Sequence, residues 1–150
     1  METLCKQRDE IAVTYSLDSM ANIESGKVAC ILAEEDMPTS PMRGDTIAQG
    51  VMQTLRLLEK NEQGFFLMIE SAIIDGYGHN NDGEGMVIEM KEFNCTLQKA
   101  IDYVNQHPET LLIVTADHET GGTGVYYNGH KPGNEGPLKM NFSTSGHTGT

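Results

Sequence analysis

The sequence predicts an α/β fold, a mostly parallel sheet with helices on both faces. Two observations carry this. Short apolar runs, "KVACILA", "FFLMIE" and "TLLIVTAD", alternate along the chain with stretches whose apolar residues recur at helical spacing. Strands separated by helices need crossover connections, and these suit parallel pairing. With 150 residues, 38% hydrophobic content, 16 Gly and 5 Pro, the chain has the size and composition of one globular domain over residues 1–150.

The elements follow in order. "IAVTYS" from Ile11 reads as a short strand and "LDSMANIES" as a helical turn or two ending near Gly26. "KVACILA" from Lys27 is a second strand. "EEDMPTSPMRGD" reads as a loop, with Pro38 and Pro41 breaking any regular element. From Asp45, a helix N-cap by residue type, Ile47, Val51, Leu55 and Leu58 recur at helical spacing, and Gly64 lies just beyond. "FFLMIE" is the third strand. Asp82 is placed to cap a helix whose apolar face is Val87, Met90, Phe93, Leu97, Ile101 and Val104, ending at His107-Pro108 because proline disfavours helical geometry in the residue before it. "TLLIVTAD" from Thr110 is apolar throughout and is expected to be a strand buried on both faces. The rest, from Glu119 to Thr150, is rich in Gly and Asn and reads as having at most one short strand, around "MNFSTS".

Ligands of such sheets sit beyond the carboxyl ends of the strands. Glu70 ends one predicted strand and Asp117-His118 ends the next, so if the two are neighbours their acidic loops open on one edge. Asp75 and His79 either share a helix face or converge from a glycine-flexed loop; Gly76 and Gly78 favour the loop. Carboxylate oxygen with imidazole nitrogen suits zinc, against the plainer reading of a solvated Asx-turn. Asp117 and His118 follow a rigid apolar element, as a functional site requires, although Asp117 could simply cap the next segment. His147 in "STSGHTGT" is a third imidazole candidate. His107 and His130 read as surface histidines. Glu70 has no adjacent nitrogen ligand and suits a hard ion such as magnesium, or else an ion pair at the sheet edge.

Taken together, these residues and the segments "SGKVACILAEEDMP", "GFFLMIE", "IDGYGHNND", "TLLIVTADHETGG" and "GHTGT" resemble the alkaline phosphatase family, its bacterial members above all. The resemblance covers most of the chain and is weakest before residue 11 and from Gly124 to Lys139. It implies an alkaline phosphatase-like α/β fold. It also implies a first Zn²⁺ on Asp75, His79 and His147, a second on Asp117 and His118, and Mg²⁺ on Glu70. The implied activity is hydrolysis of a phosphate monoester, with two ions roughly 3.5–4 Å apart clamping an in-line displacement. Family members usually work outside the cytoplasm, so the resemblance implies a periplasmic or extracellular parent protein.

The departures from the family shape the expectation further. Its nucleophilic serine, bridging aspartate, magnesium-binding threonine and phosphate-binding arginine have no match here. Ser71, Ser143 and Ser145 lie near ligands but outside any nucleophile motif, and Arg8, Arg43 and Arg56 are the only arginines. Gly76 stands where relatives often carry a bulky or basic residue, and Ser71 where glycine is usual. The chain therefore reads as the C-terminal portion of an alkaline phosphatase, truncated on its N-terminal side and after the last metal histidine, with no catalytic nucleophile of its own. Alternatives are a noncatalytic metal-binding fragment or pseudoenzyme, and a related two-metal phosphotransferase or sulfatase. The formal net charge of −12 argues against nucleic acid or an anionic membrane as partner, and no run approaches the roughly 18 apolar residues of a span. The N-terminus is too polar for a secretory signal. Cys5, Cys30 and Cys95 form no CxxC pair, so neither a disulfide framework nor a thiolate zinc site is indicated. Unpaired strand edges make homo-oligomerisation an expectation.

Overall fold

The computed structural model describes residues 10–127 and 138–148; Cys5, Arg8 and His130 lie outside them. Strand β1 (Ile11–Thr14) pairs in parallel with β2 (Lys27–Cys30), Ile11 opposite Lys27 and Thr14 opposite Cys30. The crossover carries helix α1 (Leu17–Ala21), begun by Ser16, whose hydroxyl accepts the Ser19 amide at 3.1 Å. This satisfies one of the free N–H groups of a helix start.

The loop expected at residues 34–45 contains a helical turn, α2 (Ser40–Arg43). Pro41 sits in its first turn, where a helix makes no use of the missing N–H, so proline does not exclude a helix there. Helix α3 (Thr46–Leu58) buries Ala48, Val51 and Leu55 at the predicted period. Asp45 stands at its N-cap position without a side-chain cap bond; its carboxylate accepts from Gln49 Nε2 at 2.7 Å instead. After α3, Gly64 takes a positive φ of 84°, a conformation that glycine adopts without steric cost.

Helix α4 (Ile73–His79) is followed by the long α5 (Gly83–Gln106). Asp82 caps α5 as expected, accepting the Gly85 amide at 2.9 Å, and His107 ends it. The buried face differs from the prediction. Gly85, Glu89, Glu92, Thr96, Ala100 and Tyr103 point inward, whereas Val87, Met90 and Ile101 are exposed. The cause is an ion network. The Arg43 guanidinium donates to Glu89 at 2.5 Å, to Glu92 at 3.0 Å and to the Pro38 carbonyl at 2.8 Å. Glu89, 0% exposed, also accepts the Ser40 amide at 2.8 Å. Hydrophobic period places charged residues on the solvent side; a buried guanidinium requires them inside.

The main apolar cluster is Val51, Leu55 and Tyr103, with Phe65, Leu67, Ile69 and Val104 packed against it. Residues 65–70 show the in–out alternation of a strand, Phe65, Leu67 and Ile69 turned to this cluster and Phe66 standing 87% exposed. Neither this segment nor 110–117 pairs with a neighbour among the described residues. Leu111 is 83% exposed, and Ile113 and Val114 are also exposed, so burial on both faces does not hold here. The C-terminal region holds more strand than expected: β3 (Glu119–Thr120), β4 (Gly124–Tyr127), β5 (Leu138–Asn141) and β6 (His147–Thr148). The pairs β3–β6 and β4–β5 are antiparallel. Among the described residues the sheets are thus three two-stranded ladders, one of them parallel, rather than a mostly parallel sheet. The apolar runs alone could not reveal this, because strand direction depends on which distant segment supplies the partner.

Removing Arg43 leaves two buried carboxylates facing each other. Arg43→Ala is expected to lower the unfolding free energy by about 3–5 kcal/mol in a urea titration. A loss of about 1 kcal/mol or less, the worth of an exposed pair, would contradict a buried network.

Candidate metal centre

The segment from Ile73 is a helix, not the loop that Gly76 and Gly78 suggested, and it sets Asp75 and His79 on one face at i, i+4. Gly78 serves packing: a Cβ there would lie 3.0 Å from the Thr120 side chain. Gly85 plays the same part for α5, where a Cβ would strike the Tyr77 ring at 2.1 Å. The α4 face is therefore held between α5 and β3.

The third candidate side chain, His147, arrives through β6. Thr120 pairs with His147 and Glu119 with Thr148 across a two-residue antiparallel ladder. The turn after β3 has Gly121 and Gly122 at φ of 88° and 58°. A Cβ at Gly121 would meet the Gly78 carbonyl at 2.9 Å, and one at Gly122 the Ser143 hydroxyl at 1.9 Å. The two glycines of "HETGG" thus let residues 143–146 close over the helix; the Ser143 amide donates to the Gly121 carbonyl at 2.9 Å and the Gly121 amide to the Gly146 carbonyl at 3.0 Å.

The resulting geometry is tight. Asp75 Oδ2 lies 3.3 Å from His79 Nε2, and Asp75 Oδ1 3.3 Å from His147 Nε2. The two imidazole Nε2 atoms are 3.2 Å apart. A tetrahedral ion with ligand bonds of 2.0–2.2 Å holds its donor atoms roughly 3.3–3.6 Å apart; the N/O donor types suit zinc, with Asp75 turning a different oxygen to each imidazole, Oδ2 to His79 and Oδ1 to His147. His79 Nδ1 donates to the Ser145 carbonyl at 2.6 Å, leaving Nε2 with its lone pair on the side of Asp75 and His147.

Beside this trio, His118 stacks on His147 with ring centroids 3.8 Å apart. Asp75, His118 and His147 each bring a ligand atom within 4.8 Å of the other two. Asp117 Oδ2 is 3.3 Å from His118 Nε2, a second donor pair at the same spacing, with its own side chain 85% exposed. Glu70 is exposed and lies outside this group. Of the six residues singled out from sequence, Asp75, His79, His118 and His147 therefore lie together, with Asp117 beside His118.

Two residues that sequence reasoning passed over hold the site. Thr120 donates its hydroxyl to Asp75 Oδ1, which holds that carboxyl below the usual range against the opposing effect of burial; His79, His147 and His118 add to the lowering. Glu119 accepts from the Thr148 hydroxyl and from the Thr123 amide at 2.7 Å. The only sequence signal for either was adjacency to the Asp-His pair, since Thr148 lies 29 positions from Glu119.

Comparison with known proteins bears on the same segments. Residues 15–144 match the family model described as alkaline phosphatase. Alkaline phosphatase 4 of Bacillus subtilis is 41% identical over 81 residues, 54% of this chain and 18% of that protein. The alkaline phosphatase of Escherichia coli is 36% identical over 100 residues, 65% of this chain and 20% of that protein. Alkaline phosphatase from the Antarctic bacterium TAB5 superposes with a TM-score of 0.83 at 28% identity, over 99% of this chain and 45% of that one. A mutant of the TAB5 enzyme with Mg bound in its M3 site gives 0.80. The chain spans about a fifth of the length of these two curated relatives.

The Glu119 clamp carries a pH signature. The Thr148 hydroxyl, then the Thr123 amide, hold the Glu119 carboxyl below its ordinary range. A depressed carboxyl adds stability above its unfolded value and loses it as pH falls through the folded one. Thermal melts are therefore expected to fall as pH drops through and below the ordinary glutamate range, and Glu119→Gln to flatten that part of the profile. Identical profiles for the two proteins would contradict the clamp.

Proposed function

The chain belongs to the alkaline phosphatase family, and on that premise we propose that it carries the metal-binding part of a phosphate-monoester hydrolase. The observation that carries the reading is the mutual approach of Asp75, His79 and His147 at 3.2–3.3 Å. These three would hold one Zn²⁺ and leave a position open, as catalytic zinc does. Asp117 and His118 would contribute two ligands to a second ion, and Glu70 one to Mg²⁺. Such ions polarise phosphoryl oxygens and offset their charge, which lets so acidic a chain take an anionic substrate.

The chain's own residues prepare that chemistry. The Ser145 carbonyl orients the His79 imidazole, the β3–β6 ladder brings in His147, and the His118 ring rests on it. No residue here is assigned as nucleophile. Ser71 Oγ is buried without a hydrogen-bond partner, and the Ser143 hydroxyl donates to the Gly122 carbonyl at 3.3 Å. A serine nucleophile needs an adjacent base or ion to activate it, so we place that role on a segment of the parent protein outside these 150 residues. The parent would act in the periplasm or outside the cell, as the resemblance suggests.

Zinc content measured on Asp75→Ala, His79→Ala and His147→Ala is expected to fall in each variant relative to the unaltered chain; unchanged content in all three would refute the site. The chain alone is expected to show only slow hydrolysis of p-nitrophenyl phosphate. Rapid turnover by the pure chain, abolished by His118→Ala, would show that a nucleophile is present after all.

A further inference from the structure

We propose that Thr120 is a positioning residue that couples the two halves of the metal centre through one hydroxyl group; the inference rests on the metal centre proposed above. Thr120 is buried, and its Oγ1 contacts both donor sets. It donates to Asp75 Oδ1, the oxygen that also faces His147 Nε2 at 3.3 Å. The same Oγ1 lies 3.2 Å from His118 Nδ1. A hydroxyl has one proton and two lone pairs. With the proton committed to the carboxylate, the oxygen accepts from Nδ1–H of His118. Nδ1 also faces the Glu119 carbonyl, which can only accept, at 3.3 Å, so the two oxygens together select the His118 tautomer whose Nε2 keeps its lone pair, 3.3 Å from Asp117 Oδ2. One side chain thus aims Asp75 at one ion and His118 at the other.

Backbone and methyl group hold the hydroxyl in place. Thr120 lies opposite His147 in the ladder, and its carbonyl accepts from Thr123 Oγ1 at 2.8 Å. Its Cβ and Cγ2 rest against the backbone of Gly78, where an added Cβ would come within 3.0 Å. The methyl packs and the hydroxyl orients, so the two roles separate chemically. Valine keeps the shape and loses the hydroxyl; serine keeps the hydroxyl and loses the methyl.

The test titrates Zn²⁺ and Co²⁺ into the full chain and its Thr120→Val, Thr120→Ser and Asp75→Ala variants at one fixed pH, following heat and the visible Co²⁺ spectrum. Circular dichroism monitors folding. Thr120→Val is expected to bind roughly 10–100-fold more weakly, as for loss of a partner that orients ligands, while Thr120→Ser stays within a few-fold of the parent. Parent-like binding by Thr120→Val, or a loss in Thr120→Ser as large as in Thr120→Val, overturns the proposal. If Thr120→Val does not fold, Thr120→Ser decides by itself: binding within a few-fold of the parent supports the proposal, and a loss of roughly tenfold or more overturns it. Imidazole nitrogen shifts of the metal-free parent and of Thr120→Val give an independent readout: a smaller share of the Nδ1–H form of His118 in the variant supports the proposal, and an unchanged tautomer balance overturns it. Binding by Asp75→Ala equal to the parent would instead reject the metal centre, leaving the nitrogen shifts to decide on Thr120.

Discussion

The antiparallel pairing of Glu119–Thr120 with His147–Thr148 is the contact on which the site depends. It is two residues long, too short to stand on its own ladder hydrogen bonds. The Glu119 carboxylate, accepting from Thr148 and Thr123, supplies the missing hold. The glycine pair after β3 lets the chain turn where a side chain would collide. Without this pairing, His147 has no reason to meet His79, 68 positions away in sequence, and the donor set loses a member.

Electrostatics gives the same region a distinct character. The chain as a whole is strongly acidic, at −12, yet three imidazoles gather here with the carboxylates of Asp75 and Asp117. Neutral imidazole nitrogens approach one another without the repulsion that carboxylates would suffer, and each can turn a lone pair to a cation. The carbonyl of Ser145 and the hydroxyl of Thr120 orient two of the rings from behind. The donor atoms are thereby oriented before any ion arrives, in a protein whose overall charge is strongly negative.

The scaffold behind the site is unusually polar. Among the described residues only a few apolar side chains are buried, Val51, Leu55 and Tyr103 among them, while Arg43, Glu89 and Glu92 occupy the interior between α2 and α5. Meanwhile Phe66, Met68, Leu111 and Ile113 stand exposed on segments that are apolar on both faces. Large apolar surface of this kind marks a face made to be covered. The TAB5 enzyme, of which this chain matches 45%, has further chain beyond the matched part. The helices α3 and α5 cover one side of residues 65–70, against Phe65, Leu67 and Ile69, while Phe66 and Met68 on the other side are exposed.

Much of the fold and of the centre was legible in the residues themselves. Helix α3, the start and end of α5, and strands β1 and β2 follow from local period, capping chemistry and proline, all properties of neighbouring positions. The donor types and their order, Asp75, His79, then Asp117-His118, then His147, carry the expectation of a metal site, because imidazole with carboxylate suits a divalent ion. What only the tertiary structure decided depends on partners far apart in sequence. The rotation of α5 was set by Arg43, which draws in Glu89 and Glu92 against their hydropathy. The helical form of residues 73–79 was set by packing against Thr120 and α5. A pattern read along the sequence records what each residue is; which buried charge or hydroxyl it will face is settled only when distant segments close on one another.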